Sequence, residues 1–477
     1  MSRHDVPLIP FPTNDRKDPL RWPFALKLAA IVTTSLVNCV SNMGGSGISV
    51  AIPLLMQEFH KSQSDATQVL TLNFLFLSIG NIFWVPVAMK FGKRASLLSS
   101  TLMQAAAAGE SIVPEVVSDT TFVHQRGAMM SIYVVLISGG SAVGPLISGF
   151  MTTRTSETWR SFSWFCFGLA IFNAILIFLC YPESNFTRPE LDSTTDQLET
   201  ARKGEIHKES EKAPKEEFYE DARVASPTGT GYTIYTPSIW EIIPPFSYNT
   251  NVNFLKSMIH PLRLLVHPSV WWGIFIYAIT LSPQVIMIFT MSAFLAPPPY
   301  LFSTEQVGMM QIAAIVGFML ACFGGGFLSD VINRIIVRRS SDQNMWPEQR
   351  LVSLVPGMAF GPAGCILVAF ACGNQLHWSA IAVGYGLLSF GSVYTPNIVV
   401  TYIVDRHQKD AAECLVLVNI FKNLVAFLFL YVAVDWAQKN GYIQVYMIMF
   451  MLNVVVILCG VPIYYYDSRN RRNVERA

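Results

Sequence analysis

The chain alternates long apolar runs with short polar links. Runs over Phe24–Pro53 and Val69–Met89 predict two membrane-spanning helices, with Lys61 and Asp65 in the link between them. Runs over Ala128–Met151 and Ser161–Tyr181 each reach the roughly 20 residues that a helix needs to cross the hydrocarbon core. Six more follow at Val270–Ala296, Val307–Leu328, Leu351–Ala371, Ser379–Val404, Ala411–Trp436 and Tyr442–Tyr466. Between the two groups, residues 182–267 switch to Glu, Lys, Ser, Pro and Thr, with a mixed-charge stretch from Lys203 to Asp221. That composition predicts a long, partly disordered link between two helix bundles.

The pattern falters in one place. Ala95–Thr121 has the length of a single span, yet its later part carries Glu110, Pro114, Glu115 and Asp119. One crossing here would invert every loop downstream and place the basic ones on the wrong side. A half-length or interfacial segment that does not cross is therefore expected, which gives about ten full spans and one partial segment.

Composition supports this reading. With 52% hydrophobic and 14% charged residues among 477, the chain is too apolar to fold around one soluble core, and an all-α polytopic membrane protein is expected. Charge then sets orientation. Arg338, Arg339 and Arg350, then Arg406 and Lys409, and a tail with Arg469, Arg471, Arg472 and Arg476 alternate with loops that carry almost no base, such as Pro297–Gln306. Together with Arg3, Arg16, Lys17 and Arg21, they place both termini and the central loop in the cytoplasm by the positive-inside rule. The expected division is an arm at 1–23, an incomplete amino-terminal bundle at 24–181, the loop at 182–267, a six-helix bundle at 268–466 and a tail at 467–477. The polar start has no early apolar run of the signal-peptide kind, so the first span is expected to direct insertion.

Enzyme chemistry finds no footing. There is no phosphate-binding loop, zinc-ligand spacing or nucleophile constellation. The eight cysteines fall in or beside apolar segments without Cys-x-x-Cys spacing, so no metal site and no disulfide framework is expected. Asn185-Phe186-Thr187 is a formal glycosylation acceptor, expected to stay unmodified on the cytoplasmic side.

Polar residues at membrane depth are the candidates for function. Asn38 and Asn42 share the first span with Gly44, Gly45 and Gly47. Asn419, Lys422 and Asn423 lie at i, i+3 and i+4 and so share one helix face. Lys422 is roughly 16 Å inside its span, where a lysine costs about 2.5–3.5 kcal/mol. A cost of that size points to function, the alternative being a structural lysine whose stem snorkels. Tyr277 and Gln284 near Pro283, with Tyr394, Pro396 and Asn397, offer polar and aromatic walls for an amphiphilic or cationic ligand, or else a lipid-facing surface.

One motif is more specific. Gly140-x-x-x-Gly144-Pro145-x-x-x-Gly149 puts Gly140 and Gly144 on a face where another backbone can come very close, and Pro145 is expected to break the helix locally. The run resembles the antiporter motif on the fifth span of major facilitator drug:proton antiporters, G-x-x-x-G-P-x-x-G-G, with Ser148 at the first of the last two glycines. Lys90, Gly92, Lys93 and Arg94 resemble the same family's basic loop after span two, although Val85 and Met89 replace its glycine and aspartate. Gly326, Asp330 and Arg334 resemble a second copy after span eight, which implies two related halves.

The resemblance also locates a gap. Family members carry two complete spans between the basic loop and the stretch similar to Phe122–Gly127, and here the likeness resumes only at Ala107–Pro114. Span three and half of span four are thus implied to be missing. Glu110 then belongs to the fourth span near the transport pathway, where a carboxylate can exchange a proton or face a cation; the alternative places it in water at the interface. The family's fourth-span arginine followed by Gln and Gly is absent, with Gln104 the one candidate for its glutamine. The implied activity is proton-coupled efflux of small amphiphilic or cationic molecules, as in fungal drug:proton antiporters. It needs no cofactor beyond the proton gradient and has a small-molecule substrate and the bilayer as partners. Nucleic acid has no place in it, and the expected form is a monomer in the plasma membrane. Import of an organic cation such as a polyamine, or a shortened product that does not transport, are the alternatives.

Overall fold

The structure, a computed structural model, describes residues 18–103, 106–154, 159–184, 248, 253–325, 332, 347–407 and 410–463. Among them every regular element is helical. Helix α1 (Phe24–Gly47) continues through a tighter turn at Ile48–Ala51 into α2 (Ile52–Phe59), so the first apolar run extends beyond its expected end at Pro53. α3 (Gln63–Phe91) opens on a reciprocal cap: the Asp65 amide donates to Ser62 Oγ at 3.2 Å, and the Ser62 amide donates to Asp65 Oδ2 at 3.4 Å. It stops at Gly92, whose φ of 94° suits glycine and turns the chain directly into α4 (Lys93–Leu102). α5 (Ala106–Thr120), α6 (Val123–Arg154) and α7 (Trp159–Cys180) complete the first half.

The second half begins with α8 (Phe254–Ile259) and a 3-10 turn at His260–Val266. This end of the central link is thus ordered, and Phe254 packs edge-on against Phe83 of α3 at 6.1 Å. Then come α9 (Pro268–Leu295), α10 (Thr304–Met309), α11 (Gln311–Phe323), α12 (Val355–Gly373), α13 (Trp378–Arg406) and α14 (Ala411–Leu458). Among the described residues nine stretches are long and apolar enough to cross a membrane. The last, Glu413–Ile463, spans 51 residues, about 75 Å of helix, more than twice the hydrocarbon thickness. Gly441, at φ 83° and ψ 158°, breaks it into two arms and so makes two crossings of it, ten in all.

The segment at 93–120 is a short helical hairpin. Lys93, at the start of α4, bonds through Nζ to Glu115 Oε1 at 2.9 Å and to Asp119 Oδ2, both in the last turns of α5. The two ends of the segment therefore lie at one level. Neither helix is longer than 15 residues, roughly 22 Å, so the chain enters and returns without crossing, as the parity of the basic loops requires.

Two prolines show how the spans keep their backbone satisfied. α6 runs unbroken through Pro145, which corrects the expected local break. In α9, Pro283 cannot donate to the carbonyl of Ile279, and Asn453 Nδ2 from the second arm of α14 donates to that oxygen at 3.3 Å.

The glycine motif serves two interfaces. A methyl group on Gly140 would stand 2.3 Å from Cys39 O, and one on Gly144 2.4 Å from Met43 O, so α6 lies directly on the backbone of α1. Gly149 faces α10 instead: a methyl there would meet Thr304 O at 2.9 Å and Gly308 Cα at 3.1 Å. α6 thus joins the halves. At the end remote from the basic loops, here the far end, Arg154–Glu305 (3.2 Å), Gln438–Gln63 (3.1 Å) and Ser292 Oγ donating to Ser49 O (3.1 Å) connect them further. Gly326, Asp330 and Arg334, with Gln104 and Asn185, lie outside the described residues.

Candidate functional site

Glu110 occupies the second turn of α5, some 15 Å above the hairpin's base at Thr120. Lys422, on the first arm of α14, lies at a similar depth. The structure brings the two together: Lys422 Nζ is 3.4 Å from Glu110 Oε1, and both residues are only 4% exposed. Glu110 is therefore not at the interface in water. A lone carboxylate or ammonium buried so completely would carry a large desolvation cost, and pairing with further hydrogen bonds is what offsets it.

Those bonds come from both halves. Asn423 Nδ2 donates to Glu110 Oε2 at 2.7 Å, and Asn81 Nδ2 of α3 approaches the same oxygen at 3.5 Å. Asn81 is held in place because its amide also donates to Leu77 O at 2.8 Å and its Oδ1 accepts from Ser111 Oγ. The Glu110 carbonyl accepts from Asn419 Nδ2 at 3.0 Å and from the Tyr133 hydroxyl at 3.3 Å. Tyr277 of α9 presents its ring 4.8 Å from Lys422 Nζ, a cation–π contact in a dry setting. Nearby, Ser78 Oγ donates to Ile420 O at 2.9 Å and pins α3 to α14.

The remaining candidates separate. Asn38 is fully buried, and a methyl group on Gly109 would lie 2.1 Å from its Oδ1, so Gly109 is what lets α1 and α5 close on each other beside Glu110. Neither polar atom of the Asn38 amide has a hydrogen-bond partner. Asn42 serves its own helix by donating to Asn38 O at 2.9 Å. Gln284 lies two turns beyond Tyr277 on α9 and joins a different group, with Tyr385 and Gln311. Tyr394 donates to Ser353 O at 2.9 Å and stacks on Phe390, while Asn397 lies beside Gly325; no described contact links either to Glu110.

The basic cluster also differs from a solvated loop. Lys93 and Arg94 are buried, and Lys90 extends over the ring of Tyr248 at 5.8 Å. Burial opposes the Lys93 charge, but the carboxylates of Glu115 and Asp119 prevail and hold the ammonium above its ordinary pKa. Glu183 caps the start of α4, its two oxygens accepting from the Lys93 amide at 3.0 Å and the Arg94 amide at 3.1 Å. Arg94 Nη2 donates to Phe178 O at 2.5 Å. Carboxylates that the loop itself lacks are thus supplied by α5 and by Glu183, just beyond α7.

Sequence reasoning missed Asn81, Ser111 and Tyr133. Asn81 carried the signal used for Asn38, an amide in the middle of an apolar run. Tyr133 carried none, because a buried and a lipid-facing tyrosine look alike in sequence.

Residues 105–430 match the family model described as Major Facilitator Superfamily. Protein HOL1 of Saccharomyces cerevisiae is 21% identical over 533 aligned positions that cover 98% of this chain and 90% of that protein. The alignment is longer than the chain, so the relative carries segments that are absent here. A probable efflux pump, mfs2, of Aspergillus flavus is 22% identical over 80% of this chain and 87% of its own length. Among solved structures, that of the human organic anion transporter MFSD10 (TETRAN) superposes with a TM-score of 0.56 at 12% identity, covering 92% of this chain and all of that one. At that identity the likeness concerns the fold alone.

Proposed function

The chain belongs to the Major Facilitator Superfamily, a family of membrane transporters, and from that premise we propose that it exports small amphiphilic or cationic molecules in exchange for protons. One observation carries the reading: a carboxylate–ammonium pair buried at mid-depth, with hydrogen-bonding groups from both halves around it. Protonation of Glu110 removes its attraction for Lys422, and a cationic ligand competes with Lys422 for the same carboxylate. Either event loosens α5 from α14. That gives one residue through which proton and substrate can alternate while the halves rock about α6. The efflux direction draws support from the similarity to mfs2 and from the glycine motif on α6. The same reading takes the basic end as cytoplasmic, the membrane as the plasma membrane and the working unit as a monomer, with the proton gradient as the energy source.

The test is flux in proteoliposomes under an imposed pH gradient, with tetraphenylphosphonium as the probe. Wild-type protein is expected to move it in proportion to the gradient. Glu110→Gln and Lys422→Ala are each expected to abolish gradient-driven flux. Unchanged flux in Glu110→Gln would remove the pair from the mechanism.

A further inference from the structure

The segment that leads into α9 leaves a run of apolar side chains open. Across α8 and the 3-10 turn, Ile259, Leu262 and Val266 are 60%, 48% and 82% exposed, with Met258 beside them. Lys256 and Arg263 are exposed among them, and no side-chain hydrogen bond or ion pair with a described residue holds either. Basic and apolar side chains left open together on one short segment are what a chain lying in the plane of a membrane interface presents.

The place of the segment on the molecule agrees. Phe254 packs on Phe83, a half-exposed ring on the outer face of α3, eight residues or about 12 Å short of that helix's end at Phe91. α3 is 29 residues long, about 43 Å against roughly 30 Å of hydrocarbon, so when centred in a bilayer it overhangs by about 6–7 Å at each end. Phe83 then lies just inside the hydrocarbon boundary at the basic end. Further along, the indole of Trp271, exposed near the start of α9 and stacked on the exposed ring of Phe275, donates to Leu265 O at 2.7 Å. An indole at the end of a span marks the headgroup level. The segment thus runs where acyl chains give way to headgroups.

It also bridges the two halves. α8 rests on α3 of the first, and His260 Nδ1 lies 2.8 Å from Glu413 Oε2 at the start of α14 in the second. Glu413 is thereby engaged, and Lys256 and Arg263 stay open to an anion outside the chain. We infer that residues 254–266 form an interfacial strap that binds anionic phospholipid: Lys256 and Arg263 take the negative headgroup, and Ile259, Leu262 and Val266 enter the acyl region beside it. A basic side chain at an anionic leaflet is worth about fivefold in affinity, so the two together give up to about 25-fold over a zwitterionic lipid. This surface is separate from Glu110 and does not depend on what is transported.

Two measurements on the purified full chain test it. Native mass spectrometry compares the first bound phosphatidylglycerol with the first bound phosphatidylcholine of the same acyl chains. Hydrogen exchange follows residues 254–266 in nanodiscs of phosphatidylcholine and of an equal mixture of the two lipids. Wild-type protein is expected to prefer phosphatidylglycerol by about 5- to 25-fold, and exchange of the segment to slow in the mixed nanodiscs. Lys256→Gln/Arg263→Gln, at side chains that hold nothing in the fold, is expected to bring the two lipids within about twofold of each other and to cancel the slowing. Lys61→Gln/Lys439→Gln removes the same charge from exposed positions at the far end and is expected to keep both effects. Equal affinities in the wild type overturn the inference, and so does a preference lost equally in both double variants, which would report overall charge alone. Exchange that is slow in phosphatidylcholine and indifferent to phosphatidylglycerol also overturns it, because the segment is then held by protein or by lipid of any charge.

Discussion

Glu110 and Lys422 illustrate why a buried pair is better judged by its halves than by its sum. Removing one member leaves the other charged and dry, at a cost of about 3–5 kcal/mol, while removing both leaves only packing to repair. Thermal unfolding in detergent is therefore expected to show large drops in Tm for Glu110→Gln and Lys422→Met singly, and a double variant more stable than either; strict additivity would mean that the two do not interact. Lys422, Asn419 and Asn423 were legible in sequence because a cation at mid-span is conspicuous and helical spacing puts all three on one face. Glu110 was ambiguous for the opposite reason. It lies among small and apolar residues of a helix too short to span, which leaves its depth open, and its burial depends on residues roughly 300 positions away.

At the scale of the element, the glycine motif could be recognised but its division of labour could not. Gly140 and Gly144 press α6 against the backbone of α1, whereas the neighbouring Gly139 has nothing within 4 Å of the place a methyl would take. Gly140→Ala and Gly144→Ala are expected to destabilise by about 1–3 kcal/mol through overpacking, and Gly139→Ala to be neutral or stabilising by up to about 1 kcal/mol. Equal Tm shifts at Gly139 and Gly140 would show that α6 does not lie on α1 in this way. A proline in a span poses a related question of which group covers the carbonyl it frees. In α9 that group is Asn453, so Asn453→Leu is expected to lower stability by about 1–3 kcal/mol, and a variant as stable as the wild type would show that another donor covers Ile279.

For the whole molecule, the decisive feature is the α4–α5 hairpin. Because it returns to the side from which it enters, positions flanking it face the same compartment. In a cysteine-free background, single cysteines at Lys90 and at Ser118, in the last turn of α5, are both expected to react with an impermeant maleimide from the side of the amino terminus. Reaction from opposite sides would mean that the segment crosses. The helical class, about ten crossings and the anomaly at 95–121 were legible in the chain alone, because they follow from apolar length and the position of charged residues, which are local properties. The sequence also marked Lys422 as costly and the α6 glycines as a contact face. Only the tertiary structure decided that the anomaly is a hairpin closed by Lys93 on Glu115 and Asp119, and that Glu110 meets Lys422 with Asn81, Asn423 and Tyr133 around them. Packing also placed Gln284 with Tyr385 and Gln311, apart from Glu110. The physical reason is the same in each case: a polar side chain in an apolar run has to find its partner within the protein, and which partner it finds depends on how separate helices pack, which no local pattern encodes.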